Sequence, residues 1–150
     1  MQKKLNNKGF TIVEVLIVLA VAGAILAAIL LAVPALQNNA KNAQLKTAAN
    51  NIVAAISSYT ASNNGAIPTT GQVTYTAPTL TVSGATSTLP GQITSVTENN
   101  TDLSAYSFTT IKVSLYGCKA DGSGFNTTSA GTWAVEYYAN GASKPTCIGA

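Results

Sequence analysis

Hydrophobic and polar positions follow three regimes along the chain. From Val15 to Leu36 every one of 22 residues is apolar. As a helix at 1.5 Å per residue they would measure about 33 Å, enough to cross a bilayer core of roughly 30 Å. Beyond them Leu45, Ala48, Ala49, Ile52, Val53, Ile56 and Tyr59 recur at three- and four-residue spacing. Lys41, Lys46, Asn50, Asn51, Ser57 and Ser58 take most of the other face. The two patterns predict one long helix from Phe10 to about Tyr59. Its half at 10–36 is apolar on all sides, and its half at 37–62 is amphipathic, with its stripe seated on a globular domain. Pro34 falls near the junction, where a kink or local break is expected. Ala20, Ala22, Gly23, Ala24, Ala27, Ala28 and Ala32 are small enough for helices to approach closely.

Asn63-Asn64-Gly65 is a helix stop, and the left-handed conformation it requires suits Asn64 or Gly65. Residues 63–150 form the globular part. Within it, 66–105 is a connection rich in Thr, Ser, Pro and Gly. It contains the β-prone pieces Val73–Thr76 and Leu80–Val82, with a helical turn expected near Gln92–Thr97. From 106 to 148 the pattern becomes strands. Ile111–Tyr116 alternates apolar and polar, Thr132–Tyr138 is a second strand, and Lys144–Ile148 is a short last segment. Ala120–Gly124, Thr127–Gly131 and Asn140-Gly141 read as turns. The fold class is therefore α+β: a long N-terminal helix packed on a small C-terminal antiparallel β-sheet.

Composition changes this picture in two respects. Charged residues are only 9% of the chain, and the net charge of +3 comes from Lys3, Lys4 and Lys8 at the N-terminus. Beyond them Lys41, Lys46, Lys112, Lys119 and Lys144 stand against five acids, so the basic balance does not indicate a nucleic-acid surface. The three N-terminal lysines hold that end on the cytoplasmic side and direct the rest outward. Second, the chain has no His, which excludes Ser-His and Cys-His nucleophilic systems. Glu98, Asp102, Asp121 and Glu136 are scattered and read as solvated rather than paired. No enzyme activity and no cofactor are expected.

Cys118 and Cys147 lie in the part read as outside the cell, where a disulfide is the default. Antiparallel pairing of the last strands would bring them together. Two cysteines without His do not make a zinc site. Asp121-Gly122-Ser123-Gly124 lacks the acidic ligands of a calcium loop, so no metal is expected. Asn99-Asn100-Thr101 and Asn126-Thr127-Thr128 fit the permissive N-glycosylation pattern.

The chemistry that remains lies at the N-terminus. A basic leader ends in Lys8-Gly9, then Phe10-Thr11-Ile12-Val13-Glu14 opens the apolar run. Glu14 is out of place: a charge at the centre of a membrane helix costs about 2.5–3.5 kcal/mol on insertion scales, and an acid inside such a segment marks a functional residue. Lys3, Lys4, Lys8, Gly9, Phe10, Thr11, Glu14 and the apolar run with Gly23 resemble the type IV pilin family. The resemblance covers about the first 60 residues. It implies a leader at 1–9, cut between Gly9 and Phe10 by a membrane prepilin peptidase that also methylates Phe10. It implies that Glu14 guides docking by pairing with the Phe10 amine of a neighbouring copy. It also implies a kink or melting of the helix around Gly23 and Pro34, although Pro34 lies a few residues beyond the family's usual proline. The partners so implied are copies of the chain itself, the peptidase, the assembly machinery in the membrane, and membrane lipid before assembly. The expected place is the bacterial cytoplasmic membrane as a single-pass prepilin, then an extracellular pilus serving adhesion, surface motility or DNA uptake.

Three other readings compete. A pseudopilin of a type II secretion or competence system would share leader and helix. A membrane-anchored surface protein that never polymerises would share the apolar run, but gains nothing from Glu14. A secretory signal peptide cut near Ala20-Val21-Ala22 would have Glu14 inside its apolar region, and the run continues well past the cut.

Overall fold

The structure, a computed structural model, describes residues 9–98 and 107–149, with only the backbone described at 129–131. The leader lysines, Asn99-Asn100-Thr101, Asp102 and the start of the strand region at 106 lie outside the described residues. The chain divides into two compact units, Met1–Gln37 and Asn38–Ala150. One helix, α1 (Ile12–Ser62), supplies the described regular structure of the first unit and opens the second. The expected start at Phe10 is two residues early, because Thr11 caps the helix. At the other end Asn64 and Gly65 take positive φ, at 53° and 85°. The Gly65 N–H donates to the Thr60 carbonyl at 2.9 Å, so the free carbonyls of the last turn are satisfied as at any left-handed helix stop.

No break occurs at Pro34, and the helix is continuous through it and through Gly23. Proline removes one N–H donor and crowds the preceding turn.

In the first unit the large apolar side chains of the helix from Ile12 to Leu36 are exposed. In the second unit the amphipathic stripe meets a core. Leu45, Ala48, Ala49, Ile52 and Ile56 are fully buried, and Val53 and Tyr59 pack at the margin. They pack with Val73, Leu80, Val82, Leu89, Ile93, Ile111, Val113, Trp133, Val135 and Tyr137. Asn42 fixes the helix to the last turn. Its amide group donates to the Asn140 carbonyl at 3.2 Å, and its oxygen accepts from the Asn140 N–H at 2.9 Å.

Among the described residues there are two sheets, where the sequence suggested one. The first is antiparallel, β1 (Val73–Thr76), β2 (Thr79–Val82) and β3 (Ala85–Thr88), in that order. It occupies the connection that read as irregular except for two short pieces, which are β1 and most of β2. The second contains β4 (Ser95–Glu98), β5 (Thr110–Cys118), β6 (Phe125–Tyr137) and β7 (Thr146–Gly149), ordered β4-β5-β6-β7. It is mixed, since β4 runs parallel to β5 and the other pairs are antiparallel. The helical turn expected near Gln92–Thr97 is therefore replaced by β4. Its pairing partner lies beyond a connection, which local pattern does not register.

The segment Thr127–Gly131, read as a turn, belongs to β6. Register shifts between Ser114 and Cys118 absorb the extra residues of β6, so turn-forming residues sit at bulges within one long strand. From Trp133 to Tyr137 burial is continuous, because β6 lies between β5 and β7 and is covered on both faces. Glu136 is thus fully buried, opposite Lys112 of β5. The expectation that it is solvated is wrong, because the strand's interior position overrides its polarity. Glu98 also departs from that expectation: its carboxylate accepts the Gly71 N–H at 2.7 Å and the Val73 N–H at 3.2 Å. This ties the end of β4 to the start of β1.

Candidate functional site

The N-terminal residues of the first unit build one local structure. Gly9, Phe10 and Thr11 precede the helix, and Ile12 is its first residue. Thr11 is therefore the N-cap and Glu14 the third helical position, the arrangement of a capping box. The Glu14 N–H donates to Thr11 Oγ1 at 3.3 Å. In return Glu14 Oε2 accepts the Thr11 N–H at 2.8 Å and the Thr11 hydroxyl at 2.7 Å. The box satisfies two N–H groups that a helix start leaves open, and it places a carboxylate at the positive end of the helix dipole. Phe10 and Glu14 are both exposed. The carboxylate thus lies at the end of the helix closest in sequence to Gly9 and Phe10. The sequence reading counted Thr11 only as part of a motif. The signal for its capping role was present, a Thr three residues before a Glu at the head of an apolar run.

In the second unit Cys118, at the end of β5, is bonded to Cys147 of β7, with the Cα atoms 5.6 Å apart. This separation is ordinary for a disulfide. β6 separates the two strands in the sheet, so the bridge is made where β5 ends and β6 begins. The Cys147 N–H donates there to the Gly122 carbonyl at 2.9 Å. Asp121 in the same loop accepts from the Ser123 hydroxyl and N–H, and lies 3.7 Å from the Lys144 ammonium. The Ser123 hydroxyl first, then the Ser123 N–H, with smaller help from Lys144 and from the backbone of Asp121 itself, hold the Asp121 carboxyl below its ordinary range. Among the described residues no three His, Cys, Asp or Glu side chains cluster in a way that could hold a metal ion.

α1 is long and apolar enough to cross a membrane, and its apolar window has no burial within the chain. Residues 4–30 match the family described as the prokaryotic N-terminal methylation motif. Comparison with curated proteins and with solved structures gives no match. The motif supports a type IV pilin-like prepilin, of pilin or pseudopilin kind, and the long helix with its sheets and the disulfide are consistent with it. Such a leader implies processing by a prepilin peptidase and assembly into a pilus-like polymer, and the motif family is structural rather than enzymatic. The leader motif and the apolar helix point to membrane anchoring before assembly.

Proposed function

We propose that the chain is the structural subunit of a type IV pilus. The observation that carries this is Glu14: a carboxylate at the head of a helix whose next 22 residues are apolar and exposed. A span that served only as an anchor would gain from that carboxylate no more than a helix cap, which many uncharged residues also supply, and would bear the cost of taking the charge into the membrane. In a polymer the balance changes. Cleavage between Gly9 and Phe10 creates an ammonium group on Phe10, and pairing it with Glu14 of a neighbouring copy lowers the desolvation cost of both. The apolar helices then bundle, with Ala and Gly positions such as Gly23 permitting close approach. Local melting near Gly23 and Pro34 would let the bundle adjust, while the second unit of each copy coats the fibre.

The loop at Asp121 supports a pilus subunit over a pseudopilin. Pseudopilins are expected to hold calcium there, whereas here the carboxylate already faces Ser123 and the Lys144 ammonium. The Cys118–Cys147 bond favours the same reading. Adhesion, surface motility and DNA uptake are the uses such a fibre serves.

Intact mass of material sheared from the cell surface tests processing. The expected chain begins at methylated Phe10 and gains two hydrogens on reduction; one beginning at Met1 or Gly23 refutes the reading. Glu14→Ala tests docking: the expected product is inserted in the membrane at wild-type level and makes no filaments.

A further inference from the structure

The outer face of the three-stranded sheet is made of one residue type. Thr74 of β1 stands opposite Thr81 of β2, which stands opposite Thr86 of β3. In the next row Thr76 stands opposite Thr79, which stands opposite Thr88. Residues directly opposite in an antiparallel pair share a face, and alternate residues of a strand return to it. All six positions of this face are therefore Thr, while Val73, Leu80 and Val82 point into the core.

This face belongs to a long neutral stretch, with no charged residue between Lys46 and Glu98. The two outer strands of the sheet differ. The start of β1 is held by Glu98, which takes the Val73 N–H. Among the described residues no strand pairs with the outer side of β3. The Leu89 N–H donates inward to the Pro78 carbonyl at 2.9 Å. By the alternation of an antiparallel ladder, the main-chain groups of Thr88 and Thr86 then point outward. Soluble proteins guard such edges with Lys, Pro or a bulge. The edge strand β7 is guarded: Lys144 and Pro145 precede it, and Cys147 ties it down. Ala85-Thr86-Ser87-Thr88 has no Lys, Pro or disulfide within it or directly beside it; Pro90 lies two residues beyond, after the Leu89 N–H has already turned inward.

We propose that the threonine face and the open edge of β3 form a contact between neighbouring copies of this chain in the polymer. The inference rests on the assembly reading and adds the surface. A second copy is the occupant the observations favour. Hydroxyls that both donate and accept pair with their own kind without charge matching, and a neutral face is cheaply desolvated. An unguarded edge is tolerable in a subunit that is covered once it is exported and assembled.

The test uses Thr86→Cys in the full-length chain, where both native cysteines are bonded to each other and the added thiol is free. An uncharged maleimide is applied to sheared filaments and to detergent-dispersed subunits. Labelling about tenfold slower in filaments is expected for a thiol inside an interface, and equal rates overturn the proposal. Thr81→Lys gives a second reading. Filament yield is expected to fall about tenfold as an unpaired charge enters the contact, with the emission of Trp133 in dispersed subunits unchanged; wild-type yield overturns the proposal. Absence of wild-type filaments would overturn assembly and contact together, whereas filaments that label as fast as dispersed subunits overturn the contact alone.

Discussion

At the scale of single residues, chemistry at the helix head and in the disulfide loop is set by local hydrogen bonds. Thr11 and Glu14 were legible as parts of a motif, and the capping box explains why the helix starts at Ile12 rather than Phe10. Thr11→Val, which removes the hydroxyl while keeping the shape, is expected to lower the helicity of a detergent-solubilised peptide covering residues 10–36, read by circular dichroism. Losing such a cap costs about 1 kcal/mol. Asp121 offers a pH test. Its pKa is lowered on folding, mainly by Ser123. Its contribution to stability is therefore present above the ordinary value of 3.8 and is lost as pH falls through the lower folded value. Melting temperature measured across acid pH is expected to fall less for Asp121→Asn than for the unaltered chain.

At the scale of elements, the strands show where local pattern succeeds and where it stops. Val73–Thr76 was legible because β-prone residues cluster between turn residues, whereas β4 was misread because its partner is remote in sequence. β7 depends on a close approach that no pattern reveals. A Cβ added at Gly149 would meet the Trp133 carbonyl oxygen and lie 2.8 Å from the Ala134 Cα. Gly149→Ala is therefore expected to destabilise the fold by about 1–3 kcal/mol, measured by urea titration of the emission of Trp133, the chain's one tryptophan. The bridge that ties β7 to β5 spans 29 residues. In the chain-entropy model its removal in a Cys118→Ser, Cys147→Ser variant costs about 3–4 kcal/mol, read by the same titration.

For the whole molecule, the exposed apolar stretch of the helix and the folded core fall in different units. The buried stripe Leu45–Ile56 and the seven described strands lie in Asn38–Ala150, and the core they form draws no described residue from the first unit. A fragment of residues 38–150 is expected to be monomeric in water by size-exclusion chromatography, with a cooperative thermal transition. The chain from Phe10 onward is expected to need detergent. Aggregation of the fragment, or the lack of a transition, would mean that residues before Asn38 contribute to the fold.

The sequence by itself determined the long helix, its division into apolar and amphipathic halves, the processing motif and the α+β class. These rest on periodicity and on residues close together in the chain, which physical chemistry reads locally. Only the tertiary structure decided that the connection folds as a second sheet and that β4 lies parallel to β5. It also decided that Glu136 is buried and that six threonines share one face. Each of these depends on which strands become neighbours, and strand neighbours are chosen by burial and register across long stretches of chain, not by the residues beside them in sequence.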